Sequence, residues 1–193
     1  SSDIGSQGDN FRLLSQKVTD NRKTYKYSSQ GSHTISEDLN SLYGKLDVVG
    51  SLDDTGNKSE LDFGTKRGLT LGSDDNELTF SNMSLTGMGT IINVTNGDAS
   101  ITMDNVDLSA NVTGTEEYEL TLNTQADSTT TITGAVTKAN ATLSTGTLVF
   151  DQNSLANSSL NVTGGTGDLN DDDTLAYTIG KFTGTNAGKF KID

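Results

Sequence analysis

The sequence predicts an all-β chain wound as a right-handed parallel β-helix, a solenoid of about six coils with about 23 residues each. Three observations lead there. Apolar residues fall in apolar-polar-apolar triplets, short stretches recur at an interval of 23, and the 193 residues contain no proline.

The triplets are "LDV" (46–48), "LDF" (61–63), "LTL" (69–71), "LTF" (78–80), "INV" (92–94), "ITM" (101–103), "LTL" (120–122), "LVF" (148–150) and "LNV" (160–162). Alternation over three to five residues is the period of a half-buried strand, not of a helix. The connecting segments are Gly, Asn, Asp, Ser and Thr, which form turns. Leu, Ile, Val and Phe supply 43 of the 193 residues. That is close to the level of roughly 20% below which highly charged chains tend to be disordered. The regular placement of these residues, rather than their number, argues for a packed core.

The interval comes next. Leu46, Leu69 and Ile92 lie 23 apart, as do Leu78 and Ile101. "ELTFSNMSL" (77–85) and "SITMDNVDL" (100–108) share one template, with Leu78, Phe80, Asn82, Met83 and Leu85 matching Ile101, Met103, Asn105, Val106 and Leu108. A propeller blade needs about 40 residues and tends to carry aromatics, but this chain has no Trp and 6% aromatic residues. A leucine-rich repeat needs longer leucine spacing and a helix on its outer side. Three short strands and three turns fit the interval. Each strand then stacks on its equivalent in the next coil, where every N–H must join a ladder and proline cannot serve. In this arrangement "LTF" and "MSL" are successive strands meeting at a tight corner on Asn82, with Asn105 at the same corner one coil later. Asparagine tolerates the left-handed backbone such corners need, and stacked amides can hydrogen-bond along the axis. "LVFDQNSL" (148–155) is a weaker copy, with Gln152 in the asparagine place and Asn153 in the apolar place.

The first 32 residues read differently. They hold five of the thirteen basic residues, Arg12, Lys17, Arg22, Lys23 and Lys26, and "FRLLSQKVTD" (11–20) places Phe11, Leu14 and Val18 at helical spacing. A solenoid exposes a raw sheet edge at each end that must be covered. Residues 1–32 are therefore expected to form an N-terminal cap or tail, with a basic binding arm as the alternative, and residues 33–193 the β-helix domain.

Charge limits the partners. The net charge is -13 and the pI near 4.3. Between Leu69 and Gly180 the only basic residue is Lys138, against fifteen Asp and Glu. Nucleic acid and anionic membrane are poor partners, because phosphate contacts need clustered Lys and Arg. The absence of cysteine removes disulfides, zinc-finger spacing and a thiol nucleophile. No apolar run approaches the roughly 18 residues of a membrane-spanning helix, so no membrane insertion by this chain is expected. No secretory leader is legible. The sequence reads as a mature exported protein or as a piece of a larger one.

The stretch "SHTISEDLNSLYGKLDVVGSLDDTGNKSELDFGTKRGLTLGSDDNELTFSNMSLTGMG" (32–89) resembles the opening coils of right-handed β-helices in bacterial surface proteins. It is most similar to passenger domains of autotransporter (type V secreted) adhesins and related polymorphic outer-membrane proteins. The matching residues are Thr34-Ile35, Leu42, Gly44, Leu46 to Gly50, Leu61, Gly68 to Gly72, and Leu78 to Gly87. The tail "DDTLAYTIGKFTGTNAGKFKID" (172–193) is similar to later coils of such passengers. The resemblance implies an extracellular protein, secreted or held at the bacterial surface, serving as an adhesin or stalk. Its partner would be a host or bacterial surface glycan or protein, or a second copy of itself. Cofactor, metal and catalytic residues are expected to be none.

The alternative is a glycan-active enzyme, a polysaccharide hydrolase or lyase on the same fold. Lyases of acidic polysaccharides need Lys or Arg against developing negative charge, of which the body has almost none. Hydrolases need carboxylates about 5 to 9 Å apart across a groove. Candidates are Asp53-Asp54, Asp74-Asp75, Asp104 with Asp107, and Glu116-Glu117. Each also reads as a solvated turn or outward strand position. His33 is the single histidine, with no nucleophile motif beside it. "GGTGDLNDDDTL" (164–175) departs from the calcium-binding nonapeptide, since Leu169 takes an aspartate place. Asp168, Asp171 and Asp173 could still cluster around calcium, although a plain acidic loop is the stronger reading. Seven Asn-x-Ser/Thr sequons, at Asn57, Asn82, Asn93, Asn111, Asn140, Asn157 and Asn161, reflect composition more than glycosylation. For a binding protein, Tyr118 and Tyr177 are expected to be exposed aromatic centres.

Overall fold

The computed structural model describes residues 2–3, 22–26, 31–169, 181–184 and 189–192. No helix occurs among them, and all strand pairs are parallel. The chain is a parallel β-helix with three faces.

The first face stacks Arg22–Lys26, Lys45–Val49, the start of Glu77–Thr86, the start of Ser100–Leu108, Tyr118–Leu122, Ala139–Leu143, Ser159–Val162 and Lys181–Gly184. The second stacks Ser32–Thr34, Ser59–Asp62, the ends of those same two long strands, then Thr129–Ile132, Thr147–Phe150, Thr166–Leu169 and Lys189–Ile192. The third is shorter, with Leu69–Leu71, Thr90–Val94 and Asn111–Gly114 extended by bridges of Ser41 to Thr70 and of Val112 to Val136. Five complete turns fill residues 45–157.

Alternation decides what is inside. One inward column runs Leu46, Leu78, Ile101, Leu120, Ala141, Leu160, and its neighbour runs Val48, Phe80, Met103, Leu122, Leu143, Val162. The second face contributes Leu61, Leu85, Leu108, Ile132 and Phe150, and the third Leu69, Ile92, Val112 and Val136. All are buried. Each large apolar side chain removed from water contributes about 1.5–3 kcal/mol, so the columns supply the driving force that composition alone leaves in doubt.

The period is less regular than the sequence suggests. On the first face Arg22 pairs with Lys45, Lys45 with Glu77, Glu77 with Ser100, Ser100 with Glu119, Tyr118 with Ala139, Asn140 with Ser159, and Ser159 with Lys181. The steps are 23, 32, 23, 19, 21, 19 and 22 residues. Leu46 therefore does not begin the row of Leu69 and Ile92, as its 23-residue interval implies. It stacks on Leu78, while Leu69 and Ile92 share the third face. The long step holds a hairpin loop closed by an antiparallel bridge between Leu52 and Lys58.

The asparagine corner forms as predicted. Asn82 and Asn105 have φ of 57° and 56°, and the Asn105 Nδ2 donates to Asn82 Oδ1 at 3.1 Å. The next turn continues the column with Asn123, φ 61°, then Gly146, φ 69°, and Gly165, φ 66°. Gln152, assigned to this corner by the weaker repeat, lies elsewhere, past the end of Thr147–Phe150. Residues 22–26, inside the expected cap, form a rung of the first face. The helical spacing at 11–20 lies outside the described residues.

Candidate functional site

Most of the carboxylates singled out in the sequence are held by a near neighbour or by an adjoining rung. Asp53 Oδ1 accepts the N–H groups of Thr55 and Asn57 at 2.9 Å, and Oδ2 accepts Asn57 Nδ2 at 2.8 Å. The backbone N–H of Asn57, its side-chain amide and the Thr55 hydroxyl hold the Asp53 carboxyl down at about 2. It is a fixed ionised acceptor, unsuited to general-acid work. Asp74 Oδ1 accepts Asn96 Nδ2 at 2.7 Å, and Asp75 Oδ1 accepts the Ser73 hydroxyl at 2.6 Å. Asp104 takes both the N–H and the hydroxyl of Thr124, at 2.9 and 2.8 Å. Asp107 pairs with the largely buried Lys58 Nζ at 2.9 Å. Glu116 Oε2 accepts the Gly97 N–H at 3.0 Å.

These groups are spread around the solenoid. Asp53 and Asp54 sit in the hairpin loop, Asp104 and Asp107 flank the asparagine corner, and Asp74, Asp75, Glu116 and Glu117 follow the edge between the third and first faces. Among the described residues no group of three or more His, Asp or Glu side chains is placed to hold a metal ion. His33 is 5% exposed, on the inward side of Ser32–Thr34. Asp168 lies on Thr166–Leu169, while Asp171, Asp173 and Tyr177 lie outside the described residues.

Tyr118 is not an exposed aromatic. It is 1% exposed and shares the inward parity of Leu120 and Leu122. Its ring lies against Gly114, where a Cβ would meet it. Its hydroxyl is buried with no hydrogen-bond partner among the described residues. Burial pushes its phenol well above the usual tyrosine range.

What the fold does build outward is polar and repetitive. Thr79, Thr102, Thr121 and Thr142 fall in one column of the first face. Asn140 Oδ1 accepts the Ser159 hydroxyl at 3.0 Å, and Asn161 Oδ1 accepts that of Thr183 at 2.9 Å. The sequon asparagines Asn93, Asn111, Asn140 and Asn161 all lie on strands with the residue after them inward. The Asn-x-Thr pattern is thus the outward side of a strand.

A notch of about 660 Å³ opens where the third face turns into the first, lined by residues including Gly114, Glu117, Lys138, Asn140, Asn157 and Ser159. Lys138 has φ of 60°. Its N–H donates to Asn157 O at 2.8 Å, and its own carbonyl accepts the Tyr118 N–H at 3.2 Å. Sequence reasoning noted Lys138 only as a lone charge. Its position at a left-handed corner has no sequence signal, because lysine does not favour that backbone.

Fold and surface define a β-solenoid with a polar, repetitive exterior. Comparison with protein-family models, curated proteins and solved structures gives no match.

Proposed function

We propose that this chain is the body of a bacterial surface adhesin or stalk, acting outside the cell by contact and without a catalytic step. The observation that carries the reading is the contrast between its two kinds of polar group. The outward Thr and Asn residues form regular columns along the axis, whereas the candidate carboxylates are spread over separate edges, most of them held in turns or between rungs. A regular polar face suits graded attachment to a glycan, to a protein or to a second copy, with a few positions dominating. The resemblance of residues 32–89 to autotransporter passengers supports the same reading. The net charge of -13 disfavours nucleic acid and anionic membrane as the contacted surface. No helix among the described residues is long and apolar enough to cross a membrane.

The test is attachment. Particles coated with the purified chain are mixed with bacterial and host cells and with particles of their own kind. Adherence or clumping that soluble chain competes away is the expected result. Failure to adhere to any of these surfaces would reject the adhesive role.

A further inference from the structure

Resting on the adhesive reading above, we propose that the notch at Lys138 binds a short neutral saccharide. Four features point there. The first is room, since about 660 Å³ falls within the range of about 300–1,000 Å³ typical of small-molecule sites. Small residues, Gly114, Ala139 and Ala156, are part of its lining.

The second is the donor and acceptor set. Lys138 brings three N–H donors, Glu117 is an acceptor, and the Asn157 amide offers both. Asn140 gives its Oδ1 to Ser159, which orients its Nδ2 group. Alternating donors and acceptors match neighbouring hydroxyls on a sugar ring, each of which donates once and accepts.

The third is strain. The other non-glycine residues with positive φ are Asn82, Asn105 and Asn123 among the described residues, and asparagine bears that backbone at least cost. Lys138 bears it with an exposed side chain that no buried packing rewards. Non-glycine backbone held in this region is strained and tends to occur at binding sites. The fourth is charge. The stretch from Leu69 to Gly180 carries fifteen acidic residues against Lys138 alone, a field that repels polyanions and leaves uncharged sugars as the fitting class. With no exposed aromatic lining the notch, each site is weak, and strength would come from many copies on one surface.

The experiment is amide-resolved NMR of the whole chain titrated separately with cello-, malto-, chito- and galacto-oligosaccharides. Saturable shifts confined to Glu117, residues 137–140 and residues 156–159 are expected with at least one series. Lys138→Gly keeps the left-handed corner and removes the cation. It should retain the melting temperature and weaken binding about tenfold, the scale of a lost charged hydrogen bond. Asn157→Ala should weaken it several-fold. Absence of saturable shifts with all four series, or wild-type affinity in Lys138→Gly, would overturn the site. The two readings separate cleanly. Undiminished cell attachment by Lys138→Gly would leave the adhesive role standing and remove the notch from it. Saturable sugar binding in a chain that attaches to no cell would do the reverse.

Discussion

Asn105 donates its side-chain amide to the side-chain oxygen of Asn82 at 3.1 Å, one full turn below, while both residues hold left-handed backbone. The column extends upward, because Asn123 Oδ1 accepts the Asn105 N–H at 3.2 Å and the Thr130 hydroxyl at 2.8 Å. Asn105 Oδ1 in turn accepts the Thr129 N–H at 3.1 Å. Each asparagine does two things here: it permits the corner and ties it to the next rung.

Those two roles separate by substitution. Asn105→Ala loses the hydrogen bonds and places a Cβ without a compensating partner in the left-handed region, for about 2 kcal/mol of destabilisation. Asn105→Gly keeps the corner and loses only the bonds, so it should cost about 1 kcal/mol. Asn82→Ala with Asn105→Ala should be non-additive in chemical denaturation, because the pair touches. Additive losses would deny the ladder.

Tyr118 makes the opposite prediction. Its hydroxyl is buried with no partner among the described residues, so Tyr118→Phe should be neutral or stabilise by about 1 kcal/mol. Tyr118→Ala should cost about 3–5 kcal/mol through the cavity it leaves. A loss of about 1 kcal/mol or more in the phenylalanine variant would reveal a bond to the hydroxyl that this packing lacks.

Glycines mark where rungs approach closest. A Cβ at Gly68 would overlap the carbonyl of Ile91, and one at Gly134 the carbonyl of Ala110, whereas one at Gly89 meets nothing within 4 Å. Gly68→Ala and Gly134→Ala should each cost about 3 kcal/mol or more. Gly89→Ala should fall within about 0.5 kcal/mol of wild type. Thermal melts of the three variants check the order.

Asp53 sets an acid limit on the hairpin loop. Its carboxyl is lowered from 3.8 to about 2, chiefly by the Asn57 N–H. A depressed folded value means that the loop is stabilised above the unfolded value and loses that support as pH falls from about 4 to about 2. Amide shifts of Thr55 and Asn57 should move through that window, and Asp53→Asn should abolish the movement. A midpoint near 4 would show that the turn does not hold the carboxylate.

Much of the fold was legible because inward and outward positions alternate between corners, so triplets such as Leu78-Thr79-Phe80 report strands directly. Asn82 and Asn105 were legible because the turn between them keeps 23 residues. Asn123 was missed because the ladder steps only 18 residues there. A wider corner follows it before Thr129–Ile132, so no template aligns the third asparagine. Leu46 and Leu69 misled in the same way, since the turn starting at Lys45 absorbs a hairpin loop. Tyr118 could have been placed correctly from the parity of "YELTL" (118–122), which sets it with Leu120 and Leu122. The notch at Lys138 could not, since it depends on the left-handed corner there and on residues of three successive turns brought to one edge.

We propose that this solenoid works by contact, with none of the candidate carboxylates performing chemistry. The most direct measurement incubates the purified chain with neutral and acidic glycans while the same panel is arrayed for binding. New reducing ends and unsaturated products are assayed beside retention on the array. A contact role is expected to give retention with no new product, and undiminished retention in the amide variants of Asp53, Asp74, Asp104 or Glu116. Turnover that disappears when any one of those four carboxylates becomes its amide would contradict it.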